Sequence, residues 1–142
     1  MRRILLFLVL STVTLLPSAA QAQEISVRIG RQAQLTPDGS ITFQVWVSCE
    51  LPGTPDLREG LAGAGQARTG ASAEGGLSPD IVCDGVERAY TAGISLISEE
   101  EFARGPATAH ATVIACNTVG ANQVCVQESA RRRVIVRGRA AS

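Results

Sequence analysis

Apolar residues recur at every second position along much of this chain. In residues 41–49, apolar side chains and Cys49 alternate with Thr, Gln, Trp and Ser. Alternation with period two is typical of a β-strand that buries one face and exposes the other. The same pattern is present in residues 25–29, 90–96, 107–116 and 133–137. The chain is therefore predicted to be all-β.

About seven short strands in roughly 120 residues, separated by Gly, Pro and Asp turn signals, favour a two-sheet sandwich of the immunoglobulin-like type. A barrel of the oligonucleotide-binding kind is the alternative, but the chain lacks the basic, aromatic binding face that such folds use. One segment, residues 52–79, does not follow the pattern. It holds seven glycines and many alanines, so it predicts either thin strands packed closely on a neighbour or a poorly ordered long loop. We expect residues 23–142 to form a single domain.

The first 22 residues have the features of a secretory signal peptide. Met1, Arg2 and Arg3 form a cationic start, residues 4–16 are mostly apolar, and Ala20-Gln21-Ala22 ends the segment. This pattern predicts cleavage after Ala22, with cleavage after Ala20 as the alternative. The apolar run is shorter than the ~20 residues of a membrane-spanning helix. We therefore expect a secreted or periplasmic protein that does not span the membrane.

Four cysteines lie beyond this segment, namely Cys49, Cys83, Cys116 and Cys125. An even number of cysteines in an exported domain predicts two disulfides, for which three connectivities are possible. If residues 107–116 and the segment after them form a hairpin, Cys116 opposes Cys125 and Ala115 opposes Val126, which is compatible with a cross-strand disulfide. Cys49 and Cys83 are the pair that this arrangement leaves.

Several short motifs carry a resemblance to known proteins. They are a strand ending in Cys49, a Gly-rich stretch containing Gln66, Cys83-Asp84-Gly85, a strand with Tyr90, and Phe102-x-x-Gly105-x-Ala107. Together they make residues 41–116 similar to secreted bacterial immunoglobulin-like domains of unknown function. The resemblance implies a sandwich and supports a Cys49–Cys83 disulfide. It brings no catalytic residues.

No group of residues predicts a catalytic or metal site. His110 is the only histidine, it lies among outward-facing threonines, and no nucleophile motif accompanies it. Glu99-Glu100-Glu101 is read as a solvated loop rather than as paired catalytic carboxylates. Asp80, Asp84 and Glu87 lack the spacing of a calcium loop. We therefore predict a protein without enzymatic activity, cofactor or metal.

Two features are candidates for binding a partner. Arg131-Arg132-Arg133, followed by Arg137 and Arg139, gives the C-terminal strand a cluster of positive charge. It can dock an acidic partner or envelope polymer, or it can protect an edge strand against edge-to-edge pairing. Trp46 lies on the polar face of its strand. It is either an exposed anchor for a partner, or it is covered by residues 25–29 or by an arginine.

The predicted function is a binding or envelope-structural role in an exported monomer, with an unknown protein or an envelope polymer as partner. Without Arg2 and Arg3, the chain has 11 arginines and 13 acidic residues, a formal charge of −2, which argues against nucleic-acid binding. One alternative is a small-ligand carrier, because the secreted apo-chromoproteins are similar in size, Gly and Ala content and disulfide number. A hydrolase is the other alternative.

Overall fold

A computed structural model describes residues 24–138, which contain seven β-strands. The predicted signal peptide with its cleavage site at Ala22, and Arg139, lie outside the described residues. No helix among residues 24–138 has the length and apolarity needed to cross a membrane. The strands β1 to β7 are Glu24–Leu35, Ile41–Glu50, Thr54–Gln66, Ala71–Ser78, Arg88–Leu96, Gly105–Val119 and Asn122–Arg137.

The strands close into a single barrel in the order β1-β2-β5-β4-β3-β6-β7. The prediction of a two-sheet sandwich is therefore wrong. The difference arises in the Gly- and Ala-rich segment, where β3 and β4 pair with each other from Leu61–Gly76 to Gln66–Ala71. Because β3 also pairs with β6 and β4 with β5, this hairpin joins the two groups of strands that a sandwich would leave separate.

The barrel closes on its other side through a short parallel contact between β1 and β7. Only three residue pairs form it, from Gln32–Ile135 to Gln34–Arg137. The contact depends on a bulge in β1. Ile29 pairs with Val45 and Ala33 with Phe43, so the three residues 30–32 stand opposite a single residue of β2, Gln44. Extra residues of this kind bend a strand, and here the bend accompanies the approach of β1 to β7.

The inward face of the strands fills the barrel with apolar side chains. All five inward residues of β2 are 3% exposed or less. The alternation predicted for residues 41–49 is thus confirmed, and the same holds for the inward positions of residues 109–115 and 134–136. Burial of these side chains supplies most of the favourable free energy of folding.

Two disulfides are present, Cys49–Cys83 and Cys116–Cys125. The β6–β7 register pairs Cys116 with Cys125 and Ala115 with Val126, as the hairpin argument requires. Cys49–Cys83 ties the end of β2 to the segment before β5. Disulfides of this kind form and persist in oxidising compartments.

Gln66 and Tyr90, two residues of the motifs that resemble immunoglobulin-like domains, form hydrogen bonds to the segments that connect the strands. Gln66 is 2% exposed, donates to the carbonyls of Ala103 and Pro106, and accepts from the amide of Ala103. Tyr90 accepts a hydrogen bond from the amide of Val82 through its hydroxyl. Buried polar groups need such partners because an unpaired one is costly. These side chains therefore stabilise connections within the fold.

Candidate binding surfaces

A shallow trough crosses the outer surface of β4, β3, β6 and β7. The strand pairing places Glu74, Gly63, His110 and Arg131 in one row across these strands. The next row is Ser72, Gly65, Thr108 and Arg133. Glycine has no side chain, so at Gly65 the floor of the trough lies at the backbone of β3, between the side chains of β4 and those of β6 and β7.

Two adjoining cavities occupy this trough, with volumes of ≈ 500 Å³ and ≈ 320 Å³. They share Gly65, Ala67 and Thr108 as lining residues. Arg131 lines the larger cavity, while Arg133 and Arg68 line the smaller one. We call Arg68, Arg131 and Arg133 the arginine face.

The charge of the arginine face is not neutralised within the fold. The two ion pairs among residues 24–138 are Arg28–Glu87 and Arg88–Asp84, and neither involves the arginine face. Arg68 donates to the backbone carbonyl of Arg104, which leaves its positive charge without a carboxylate partner. The Cα atoms of successive outward residues of a strand are about 6.8 Å apart, so Arg131 and Arg133 extend from neighbouring outward positions of β7.

Arg132 has a different role from its two neighbours. It shares the phase of the buried residues Val134 and Val136, and its guanidinium donates to the carbonyl of Ile29 at 2.9 Å. That carbonyl lies at the start of the β1 bulge, beside the seam between β1 and β7. Of the three consecutive arginines, the outer two therefore face the solvent while Arg132 bridges the seam.

His110 lies inside the trough. Its Nε2 atom is 2.5 Å from the position that a Cβ on Gly63 would occupy, so the imidazole covers that glycine. Ser72, Glu74, Thr108 and Arg131 line the same cavity. Among the described residues, however, the imidazole is hydrogen-bonded to no hydroxyl and paired with no carboxylate. A nucleophile and its base normally lie within hydrogen-bond distance of each other.

The other carboxylates considered in the sequence are dispersed or already paired. Asp84 accepts from the Arg88 guanidinium and the amide of Val86, and the first of these bonds lowers the pKa of Asp84. Glu87 is paired with Arg28 at 3.0 Å. Glu99, Glu100 and Glu101 are exposed in the connection between β5 and β6. No group of three or more metal-binding side chains occurs in the part of the chain that the structure describes.

Trp46 forms one wall of a separate groove. The guanidinium of Arg28 lies 4.5 Å from the centre of the indole ring, so an arginine from residues 25–29 does cover part of this side chain. On another side, ring atom Cζ3 is 3.2 Å from the position of a Cβ on Gly30. The ring nevertheless lines a cavity of ≈ 550 Å³, which we call the bulge groove.

The bulge groove lies where the β1 bulge separates β1 from β2. Its lining contains three glutamines, two threonines and a single charged residue, Arg31. No residue is shared with the two cavities of the trough. The lining residues are Gly30, Arg31, Gln32, Gln34, Thr42, Phe43, Gln44, Trp46 and Thr91.

Parts of these surfaces have a signal in the sequence. Arg131 and Arg133 stand out by charge, whereas Arg68 and Gly65 lie in residues 52–79, for which the sequence predicts two alternative structures. Gly30 directly follows the alternating residues 25–29 and is a signal for a bulge. Comparisons with protein-family models, curated proteins and solved structures found no match to this chain.

Proposed function

We propose that this chain is an exported, non-enzymatic binding module of the cell envelope, secreted or periplasmic after cleavage near Ala22. The partner that we propose is an acidic envelope polysaccharide. One observation carries this proposal: the arginine face combines three cations without carboxylate partners and two adjoining cavities. The cationic N-terminal start, the apolar segment after it and the two disulfides support export.

The shape and charge of the trough favour an extended anionic chain. Arg131 and Arg133 lie along one rim, and Gly65 of β3 leaves room in both cavities beside them. Arginine binds carboxylate and phosphate groups through two parallel hydrogen bonds. The formal charge of the chain beyond residue 22 is −2, so attraction of a polyanion would depend on this local cluster rather than on net charge.

A direct test is binding of polygalacturonate to the protein recovered from the periplasm, measured by calorimetry at low and at moderate salt. We expect saturable binding that weakens as salt is raised, because exposed charges are screened. The double variant Arg131→Gln/Arg133→Gln should bind about tenfold more weakly, which corresponds to the loss of two exposed ionic contacts.

Arg31→Gln is the matched control. Arg31 is exposed and has no ion-pair partner among residues 24–138, but it lies in the bulge groove. Loss of the Arg31 charge should change the affinity for polygalacturonate by less than about twofold. If Arg31→Gln and Arg133→Gln weaken binding equally, the attraction is non-specific, and if the wild-type protein does not bind polygalacturonate the proposed partner is wrong.

A hydrolase is a second candidate, because the trough brings His110 together with Glu74, Ser72 and Thr108. Binding is favoured over hydrolysis since His110 has no hydrogen-bonded nucleophile in the described residues. The two are separated by incubating polygalacturonate with the protein and measuring new reducing ends. We expect none above the buffer control. Release of reducing ends that His110→Ala abolishes would establish the enzyme instead.

A further inference from the structure

The bulge groove differs from the trough in shape, charge and position. It opens because residues 30–32 of β1 stand opposite Gln44 alone. In the closed barrel, β1 and β2 lie opposite β3. Its volume of ≈ 550 Å³ falls within the range of about 300–1,000 Å³ that is common for small-molecule sites.

Trp46 is held in place before any ligand binds. Arg28 lies against the indole ring and is itself paired with Glu87 at 3.0 Å. Gly30 leaves space for the ring on another side, where a methyl group would approach Cζ3 to 3.2 Å. A side chain that is already ordered loses little conformational entropy on binding. The wall is therefore pre-organised.

The lining around Trp46 has the chemistry of a site for hydroxyl groups. The side chains of Gln32, Gln34 and Gln44 make no hydrogen bond to other described residues, so each amide can offer both a donor and an acceptor. Thr91 is exposed beside them. The indole provides a flat apolar surface and one donor. Among residues 24–138, no carboxylate lines the groove and Arg31 is its one charged residue.

We propose that the bulge groove binds a short neutral oligosaccharide, with a sugar ring against Trp46 and hydroxyl groups on Gln32 and Gln44. A sugar combines an apolar C–H face with many hydroxyl groups that both donate and accept, which matches this lining. A polyanion would have only Arg31 as a cationic partner here. This site is independent of the arginine face and does not rest on the function proposed for it.

The chain offers a direct probe, because Trp46 is its only tryptophan. We would titrate the full protein with cellohexaose, chitohexaose and maltohexaose and follow its fluorescence, with calorimetry in parallel. At least one of them should give a saturable change that persists in 0.5 M salt, since the contacts are uncharged. Failure of all three to bind by either method overturns the proposal.

Variants locate the binding. Gln44→Ala should weaken binding by about tenfold, the loss expected for a side chain that makes one or two hydrogen bonds. Gln127→Ala is the matched control, because Gln127 is an exposed glutamine on β7 outside the groove, and it should bind as the wild type does. Equal affinity of Gln44→Ala and the wild-type protein would refute the site.

Two further measurements separate this proposal from its competitors. The double variant Arg131→Gln/Arg133→Gln should bind the oligosaccharide as the wild type does, even though its affinity for polygalacturonate is about tenfold lower. Loss of both ligands together would show that the groove is not an independent site. Saturation of Trp46 fluorescence by a mixture of extended peptides, with no response to the sugars, would replace the sugar by a peptide.

Discussion

Gly75 lies where β4 closely approaches β5, and replacing it by alanine tests the closure directly. A Cβ at this position would overlap the carbonyl oxygen of Gly93 on β5 and would lie 2.9 Å from the Cα of Ile94. Both contacts are with backbone atoms, which cannot rotate away. Gly75 pairs with Ile94 in the β4–β5 ladder, so relief of the overlap requires these strands to separate.

The expected cost follows from that geometry. Overpacking commonly destabilises a protein by about 1–3 kcal/mol, and occasionally by more. Because the obstacle is backbone, we expect Gly75→Ala to lower the free energy of unfolding by roughly 3 kcal/mol. Gly93→Ala is the matched control, since no atom lies within 4 Å of its Cβ position. It should stabilise the strand by about 0.5–1 kcal/mol.

Gly76→Ala provides an intermediate point, because its Cβ would lie 3.2 Å from the carbonyl oxygen of Gly60. In urea denaturation monitored through Trp46, Gly93→Ala should therefore have the highest midpoint, Gly76→Ala an intermediate one and Gly75→Ala the lowest. A loss of roughly 3 kcal/mol moves the midpoint by about 1–3 M. If Gly75→Ala is as stable as Gly93→Ala, β4 and β5 do not approach as described and the closed barrel is in doubt.

Two other predictions concern the disulfides and one ion pair. Cys49 and Cys83 are 34 residues apart and Cys116 and Cys125 are 9 apart, so loop-closure entropy predicts that Cys49→Ala/Cys83→Ala costs roughly 4 kcal/mol and Cys116→Ala/Cys125→Ala roughly 2.5 kcal/mol. Urea unfolding of the two double variants checks this, and the reverse order would contradict it. The hydrogen bond from Arg88 lowers the pKa of Asp84 below its ordinary value of 3.8, so the pair stabilises the fold above that pH and the stabilisation is lost as the pH falls through the lowered pKa. An NMR titration of Asp84 should show the low midpoint, and Arg88→Gln should raise it; an unchanged midpoint in that variant would exclude Arg88 as the cause.

The parts of the fold that the sequence predicted are those that depend on local pattern. Alternation in residues 41–49 is enough to assign the buried face of β2, because successive side chains of a strand must point to opposite sides. The Cys116–Cys125 register follows in the same way from a hairpin between neighbouring segments. Both inferences concern residues that are close in sequence, and both agree with the structure.

Closure of the barrel depends on residues that carry little pattern. In β3 and β4 the decisive positions are Gly63, Gly65 and Gly75, which have no side chain to bury and so give no alternation. The missing side chain of Gly75 lets β4 approach β5, that of Gly63 leaves room for the imidazole of His110, and that of Gly65 leaves the floor of the trough at the backbone. The alternation of apolar side chains does not reveal the role of these glycines. It therefore favours a two-sheet sandwich instead of the closed barrel.

The sequence of β7 is enough to predict which of its consecutive arginines face the solvent. Val134 and Val136 fix the phase of the strand, and that phase alone puts Arg132 on the inner side and Arg131 and Arg133 on the outer side. What it could not supply is the partner of Arg132, the carbonyl of Ile29, which lies 103 residues earlier. That contact requires the bulge in β1 and the parallel pairing after it.

The bulge in β1 also opens the bulge groove, so the presence of the groove alone is no evidence for a ligand. The evidence lies in the residues that line it. β1 leaves β2 at residues 30–32 and reaches β7 at Gln32–Gln34, so the groove accompanies the closure of the barrel whatever residues line it. Gln32 and Gln34 take part in closure through their backbone, but closure requires none of the three glutamine side chains and does not require an indole ring beside them. Their side chains form no hydrogen bond within the described fold, whereas the buried amides of Gln66 and Asn117 are fully engaged with backbone carbonyls. The amides of Gln66 and Asn117 stabilise the fold, whereas the three glutamine amides of the groove line it beside Trp46 without a partner among the described residues. This difference is the physical basis for assigning a ligand to the groove.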